Sequence, residues 1–266
     1  MPVQQFSAYD VIVDVIPGAI GLILVSTLLP KSAFNSLTAY SPIVSGSALL
    51  VGGYFFGRII HSFSSRIPDL AGSANRRIRF DSLEETGFSP RLLRIFRDIL
   101  LFPLKLISGF GDRSRLKNWF DKPEDSPTDV NHRTIYQVIE GLANKMGYQH
   151  KPLPEPSSMI KYGENLLYGE DSLYMKYEML STFFRNISVL SILFSLASVS
   201  YWYIARWGQN IRFNNWDPQI ALPPEIYLFL GLFAFSIAAI SYAQKTDFES
   251  RRDRAYINDL NEILNE

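Results

Sequence analysis

The sequence predicts an all-α membrane protein: four transmembrane helices in two antiparallel hairpins, with a helical cytoplasmic domain inserted between spans two and three. Two observations lead there. The apolar residues, 47% of a 266-residue chain, are gathered into four blocks instead of being spread evenly. Each block is close to the ~20 residues that a ~30 Å hydrocarbon core requires of a helix. Four such blocks in one chain of this length argue against the buried helices of a soluble protein, and no segment shows a clear strand alternation.

The blocks fall at about 11–29, 42–60, 187–205 and 226–243. The first carries one charge, Asp14, the second carries Arg58, and the last two carry none. The first block is not a convincing signal peptide. The residues before it lack Lys and Arg, Asp10 and Asp14 stand in their place, and no A-x-A-like site closes it. It is therefore read as a retained span. The expected organisation is a hairpin over 1–62, a cytoplasmic helical domain over 63–185, a second hairpin over 186–243 and a cytoplasmic helical tail over 244–266.

Orientation follows from the basic residues. The 30–41 connection has only Lys31, and the 206–223 connection has Arg206 and Arg212. By contrast, 61–185 holds 18 Lys and Arg, and the tail adds Lys245, Arg251, Arg252 and Arg254. Both termini are therefore expected in the cytoplasm. Trp202, Trp207 and Trp216 bracket the short outer connection, as an aromatic belt at the headgroup level does.

Within 63–185, Ser89-Pro90 reads as a helix start. The helix that follows sets Arg91, Arg94 and Lys105 near one face, with Pro103 to kink or end it. It suits the membrane interface and equally a domain core. DKPEDSPTD at 121–129 reads as an exposed loop. An amphipathic helix follows, with Ile135, Val138, Ile139, Leu142 and Met146 on one face and Gly147 as its stop. KPLPEPSS at 151–158 reads as an extended linker. From about Ser172 the helical pattern runs into span three. Phe248, Tyr256, Ile257, Leu260, Ile263 and Leu264 continue a helical face after span four.

Composition and motifs exclude much chemistry. A net charge of zero argues against a nucleic-acid binder. The absence of cysteine excludes disulfides, thiolate nucleophiles and cysteine-held metals. His61, His132 and His150 lack partners at metal-ligand spacing, and no phosphate-cradling loop or nucleophile elbow occurs. Asp10 and Asp14 share a helical face, but two carboxylates alone make a weak metal site. No metal and no cofactor is expected. Tyr162, Tyr168, Tyr174 and Tyr177 are read as aromatic packing in preference to a recognition cluster.

Small residues within the spans are more informative. Ser188, Ser191, Ser195 and Ser198 form one stripe, and Gly231, Ala234, Ala238 and Ser241 form another with the same spacing. Close packing holds helices together in lipid, so the stripes predict an antiparallel pair. The serine stripe could alternatively wall a pore. Gly53 and Gly57 carry the GxxxG spacing on span two. The two span charges predict an interhelical pair, Asp14 with Arg58, with Asp10 or His61 as the next neighbour, because intramembrane charges usually pair or face an interior.

Three functions fit this reading. The first is a non-enzymatic, oligomeric membrane effector, pore-type protein or scaffold, controlled through its cytoplasmic domain. Its partners would be the lipid bilayer and either further copies of the chain or a co-encoded protein. The second is a small-solute or ion transporter or channel, although the span centres lack the charges such proteins place at the midplane. The third is a lipid-acting enzyme at the membrane interface, using Asp10, Asp14, Arg58 and His61.

Overall fold

The computed structural model describes residues 8–28, 41–77, 114–126, 130–148, 153–168, 172–207 and 223–265. The described residues are helical, with no strand among them. In chain order they form α1 (Ala8–Asp10), a π-helical turn (Val11–Val15), α2 (Ile16–Thr27), α3 (Pro42–Arg77), α4 (Ser114–Asp121), a 3-10 turn (Pro123–Asp125), α5 (His132–Lys145), α6 (Pro156–Leu167), α7 (Leu173–Trp207) and α8 (Pro224–Asn265). Three stretches, Ile43–Ser64, Leu173–Ile204 and Glu225–Asn265, are long and apolar enough to cross a membrane. Val11–Ser26 is a shorter apolar helix. The basic helix expected after Pro90, with Arg91, Arg94 and Lys105, lies outside the described residues.

The chain divides into two compact units, residues 1–111 with 182–243, and 112–181 with 244–266. The boundaries fall inside α7 and α8, so each of these helices supplies residues to both units.

In the first unit, glycine sets the approach of α2 to α3. Gly18 lies against the Gly53 carbonyl and the Gly57 amide, and Gly57 lies against the backbone of Asp14. A Cβ on Gly53 would come within 3.0 Å of the Ala19 nitrogen. Backbones this close leave no room for side chains, which is how small-xxx-small pairs associate without a hydrophobic driving force. The outer faces are apolar and bare: Ile43 is 81% exposed, Phe55 62%, Ile59 64% and Phe229 71%. A surface of that kind in water would be an association liability, whereas in hydrocarbon it needs no polar cover.

The second unit has an ordinary soluble-type core. Leu116, Trp119 and Phe120 of α4 meet Ile135, Val138 and Leu142 of α5 and Met159, Ile160 and Leu167 of α6. The same core takes Tyr174 from the start of α7 and Tyr256, Ile257 and Leu260 from the end of α8. Local caps explain the element ends. The Asn131 side chain accepts from Arg133 N at 2.9 Å to start α5, and Gly147, at φ 85°, turns the chain beyond its end. Ser172 Oγ accepts from Met175 N, and the Asp259 carboxylate accepts from Tyr174 N at 2.9 Å, so α8 caps the start of α7.

Two segments differ from their sequence reading. Within DKPEDSPTD, residues 123–125 form a 3-10 turn that buries Pro123 and Ser126. His132 Nδ1 lies 2.7 Å from the Pro123 carbonyl and 2.8 Å from Ser126 Oγ, which pins the turn to α5. In 151–158 the third proline, Pro156, opens α6 and does not extend a linker. At the first helical position proline loses no intrahelical hydrogen bond.

Candidate functional site: a polar node where three helices meet

The polar node begins with a break in helical register. Ile16 N donates to Val11 O, an i to i+5 bond that makes Val11–Val15 a π-helical turn. Such turns insert one residue into a helix and leave backbone groups without their usual partners. Here the Val13 carbonyl accepts from Asn186 Nδ2 of α7 at 2.9 Å. Asn186 Oδ1 in turn lies 2.8 Å from Ser64 Oγ of α3, a hydroxyl that also reaches the His61 carbonyl at 2.9 Å. Asn186 and Ser64 are both fully buried. One amide side chain thus ties together the π-turn, α3 and α7.

On the same turn, Asp14 has no exposed surface. Its Oδ2 accepts from Arg58 Nη1 at 3.1 Å, and its Oδ1 stands 3.8 Å from His61 Nδ1. The Arg58 side chain is 53% exposed, with its guanidinium 5.9 Å from the Tyr54 ring. Asp10, one turn earlier on the chain, is half-buried. The sequence had nominated Asp10, Asp14, Arg58 and His61. Ser64, Asn186 and the Val13 carbonyl complete the node and were missed. Asn186 directly precedes the uncharged block at 187–205, and a lone amide at the mouth of a span was the available signal.

The two small-residue stripes face each other inside the first unit. Ser188 Oγ donates to the Ala238 carbonyl at 3.0 Å, and a Cβ on Gly231 would lie 3.3 Å from the Ser195 carbonyl. Ser188, Ser191, Ser195 and Ser198 are buried, as are Gly231, Ala234, Ala238 and Ser241. Within one chain, then, the serine stripe is covered by α8. Trp202 is half-buried on α7. The side chain of Trp207 and the whole of Trp216 lie outside the described residues.

The second unit holds its own charge cluster. Arg252, nearly buried, pairs with Glu178 at 2.8 Å and with Asp253 at 2.8 Å, and Lys245 pairs with Glu249 at 2.7 Å. Burial raises the Asp253 and Glu249 carboxyls above the usual carboxylate range, with Arg252 and Lys245 respectively pulling against it. Burial works against the Arg252 charge, but Glu178 and Asp253 outweigh it and hold the guanidinium protonated. Among the described residues no group of His, Asp and Glu side chains has the arrangement of a metal centre. The chain matches no protein-family model, no curated protein and no solved structure.

Proposed function

We propose that the protein is a non-enzymatic, multi-pass membrane effector or scaffold that crosses the bilayer four times, with both termini and the second unit in the cytoplasm. The observation that supports this most is a contrast between the two units. One presents bare apolar side chains outward, Phe55, Ile59 and Phe229 among them, and buries Asp14, Ser64, Asn186 and the serine stripe. The other buries an aromatic and aliphatic core, as a domain in water does. In this reading Val11–Ser26, with the π-turn at its start, is the first crossing. The cytoplasmic unit takes the controlling partner, and α7 and α8 carry its state because each supplies side chains to both cores.

Assembly into an oligomer is part of the proposal, and any opening would then form between copies. The serine stripe is covered by α8 in one chain, which favours helix packing as its role. A lipid-acting enzyme is less well supported, because Asp14 is sealed from any headgroup. The test uses the cysteine-free background. Single cysteines at 31, 145 and 251 are probed with a membrane-impermeant maleimide in intact cells, and purified protein is assayed for dye release from liposomes. Labelling at 31 alone, with release that depends on the cytoplasmic unit, is the expected result. Labelling at 145 or 251 would refute the orientation, and tight liposomes under every added partner would refute the pore version.

A further inference from the structure

We propose that Asp14 and His61 form a proton-binding pair, in which one proton taken from water is held between Asp14 Oδ1 and His61 Nδ1. That proton adds a second cation of α3 beside Arg58 at the buried carboxylate. The two oxygens of Asp14 are served unequally. Oδ2 receives Arg58, whereas Oδ1 accepts no hydrogen bond among the described residues and faces His61 Nδ1 at 3.8 Å. That separation is too long for a hydrogen bond. A protonated ring has a donor on each nitrogen and a positive charge, so a side-chain shift of about 1 Å closes the gap into a charge-assisted bond.

The carboxylate is buried, whereas Arg58 and His61 each keep exposed surface. The Asp14 backbone is wedged against Gly57, and the neighbouring Val13 carbonyl is held by Asn186. Arg58 and His61 are three residues apart on α3, so both reach the same spot from one helical face. Arg58 is half exposed, and its long stem can carry the guanidinium out to headgroups or water. His61 keeps about a quarter of its side chain exposed, which gives water a route to the ring. The buried anion thus has one permanent cation and one that depends on pH.

Several described residues surround the pair. Asp10 comes from the same helical segment, and Tyr54 joins Arg58 and His61 from α3. From α7 comes the neutral Asn186, with Arg185 the adjacent cation in the chain. Among the described residues, Arg58 and Asp10 are the charges that act on Asp14. Asp10 favours the doubly paired arrangement, since a second anion close by raises the demand for positive charge at this level. The inference stands on this three-helix node and does not depend on whether the protein permeabilises membranes.

The test is magnetic resonance on the full chain in phosphatidylcholine nanodiscs with 15N-labelled histidine. The His61 ring signals are assigned by their loss in His61→Gln. In the wild type, the dipolar coupling between His61 Nδ1 and the Asp14 carboxyl carbon should strengthen between about pH 8 and about pH 5. At about pH 6, the ratio of imidazolium to neutral His61 should fall at least ~tenfold in Asp14→Asn and rise in Arg58→Gln. An unchanged coupling, or equal ratios in wild type and Asp14→Asn, overturns the proposal. Should Asp14→Asn fail to assemble, the wild-type coupling decides the matter alone.

Discussion

Gly57→Ala is expected to destabilise the first unit, while the same change at Gly46 is not. A Cβ on Gly57 would fall onto the Asp14 carbonyl, with the Asp14 Cα only 2.9 Å away. Each obstructing atom is backbone, so no rotamer change relieves the clash and the two helices have to separate. Overpacking of this kind costs about 1–3 kcal/mol. Separation also stretches the hydrogen bond from Arg58 to Asp14 and the one from Asn186 to Val13, whose loss adds about 1 kcal/mol. Alanine returns about 1 kcal/mol through its better helix propensity, which leaves a net loss of about 1–3 kcal/mol. At Gly46 nothing lies within 4 Å of the added Cβ, so only the propensity gain remains. The two variants should therefore differ by about 2–4 kcal/mol. Unfolding of the purified protein by SDS titration in mixed micelles, followed by circular dichroism, measures the difference. Values within about 0.5 kcal/mol of each other would refute the close backbone approach as the source of packing.

Arg58→Leu should destabilise more than Asp14→Ala in the same assay, by about 1–3 kcal/mol, because the first strands a fully buried carboxylate and the second strands a half-exposed cation. The double variant should recover most of the Arg58→Leu loss, and a double variant as unstable as Arg58→Leu would contradict the pairing. In the second unit, Gly163→Ala should drive a methyl group into the Tyr256 hydroxyl, which donates to the Ile160 carbonyl at 2.9 Å. Tyr256→Phe should by itself cost about 1–2 kcal/mol, and adding it to Gly163→Ala should lower the combined loss below the sum. Asp253 and Glu249 have folded-state carboxyls raised above their ordinary values of 3.8 and 4.5. The folded chain therefore binds more protons than the unfolded one as pH rises from those values, and this contribution to stability declines across that window. Thermal melts of wild type and Asp253→Asn should show the decline weakened in the variant, and parallel profiles would refute it.

The helices were legible where one signal dominates. Long apolar runs with at most one charge announce the apolar parts of α3, α7 and α8. The Ile135, Val138, Leu142 period with Gly147 behind it announces α5 almost to the residue. What the sequence could not carry was partner choice. Phe248, Tyr256 and Leu260 read as a helical face after the fourth apolar block, but nothing in that face says it completes a core with α4, α5 and α6. Glu178 and Arg252 are 74 residues apart, beyond any spacing rule. The π-turn is likewise silent, because VIVDV has no composition that separates an i to i+5 bond from an i to i+4 bond. Asp14 and Arg58 were legible as a pair only because charges are scarce in those blocks, so few combinations existed.

That scarcity also explains how the first unit divides its labour. Glycine, alanine and serine seams bring α2 against α3 and α7 against α8, and dispersion at short range holds them. The α2–α3 seam is specific to position, since Gly57 has no room for a Cβ and Gly46 has nothing within 4 Å. A slide of one turn along α3 would bring Leu49 or His61 to where Gly53 and Gly57 now meet the α2 backbone, and it would carry Arg58 away from Asp14 and Ser64 away from Asn186. Both displacements leave buried polar atoms without partners, at a cost of about 1–3 kcal/mol for each neutral group and more for the carboxylate. The node at Asp14, Arg58, His61, Ser64 and Asn186 therefore fixes the same register that the close approach at Gly53 and Gly57 sets.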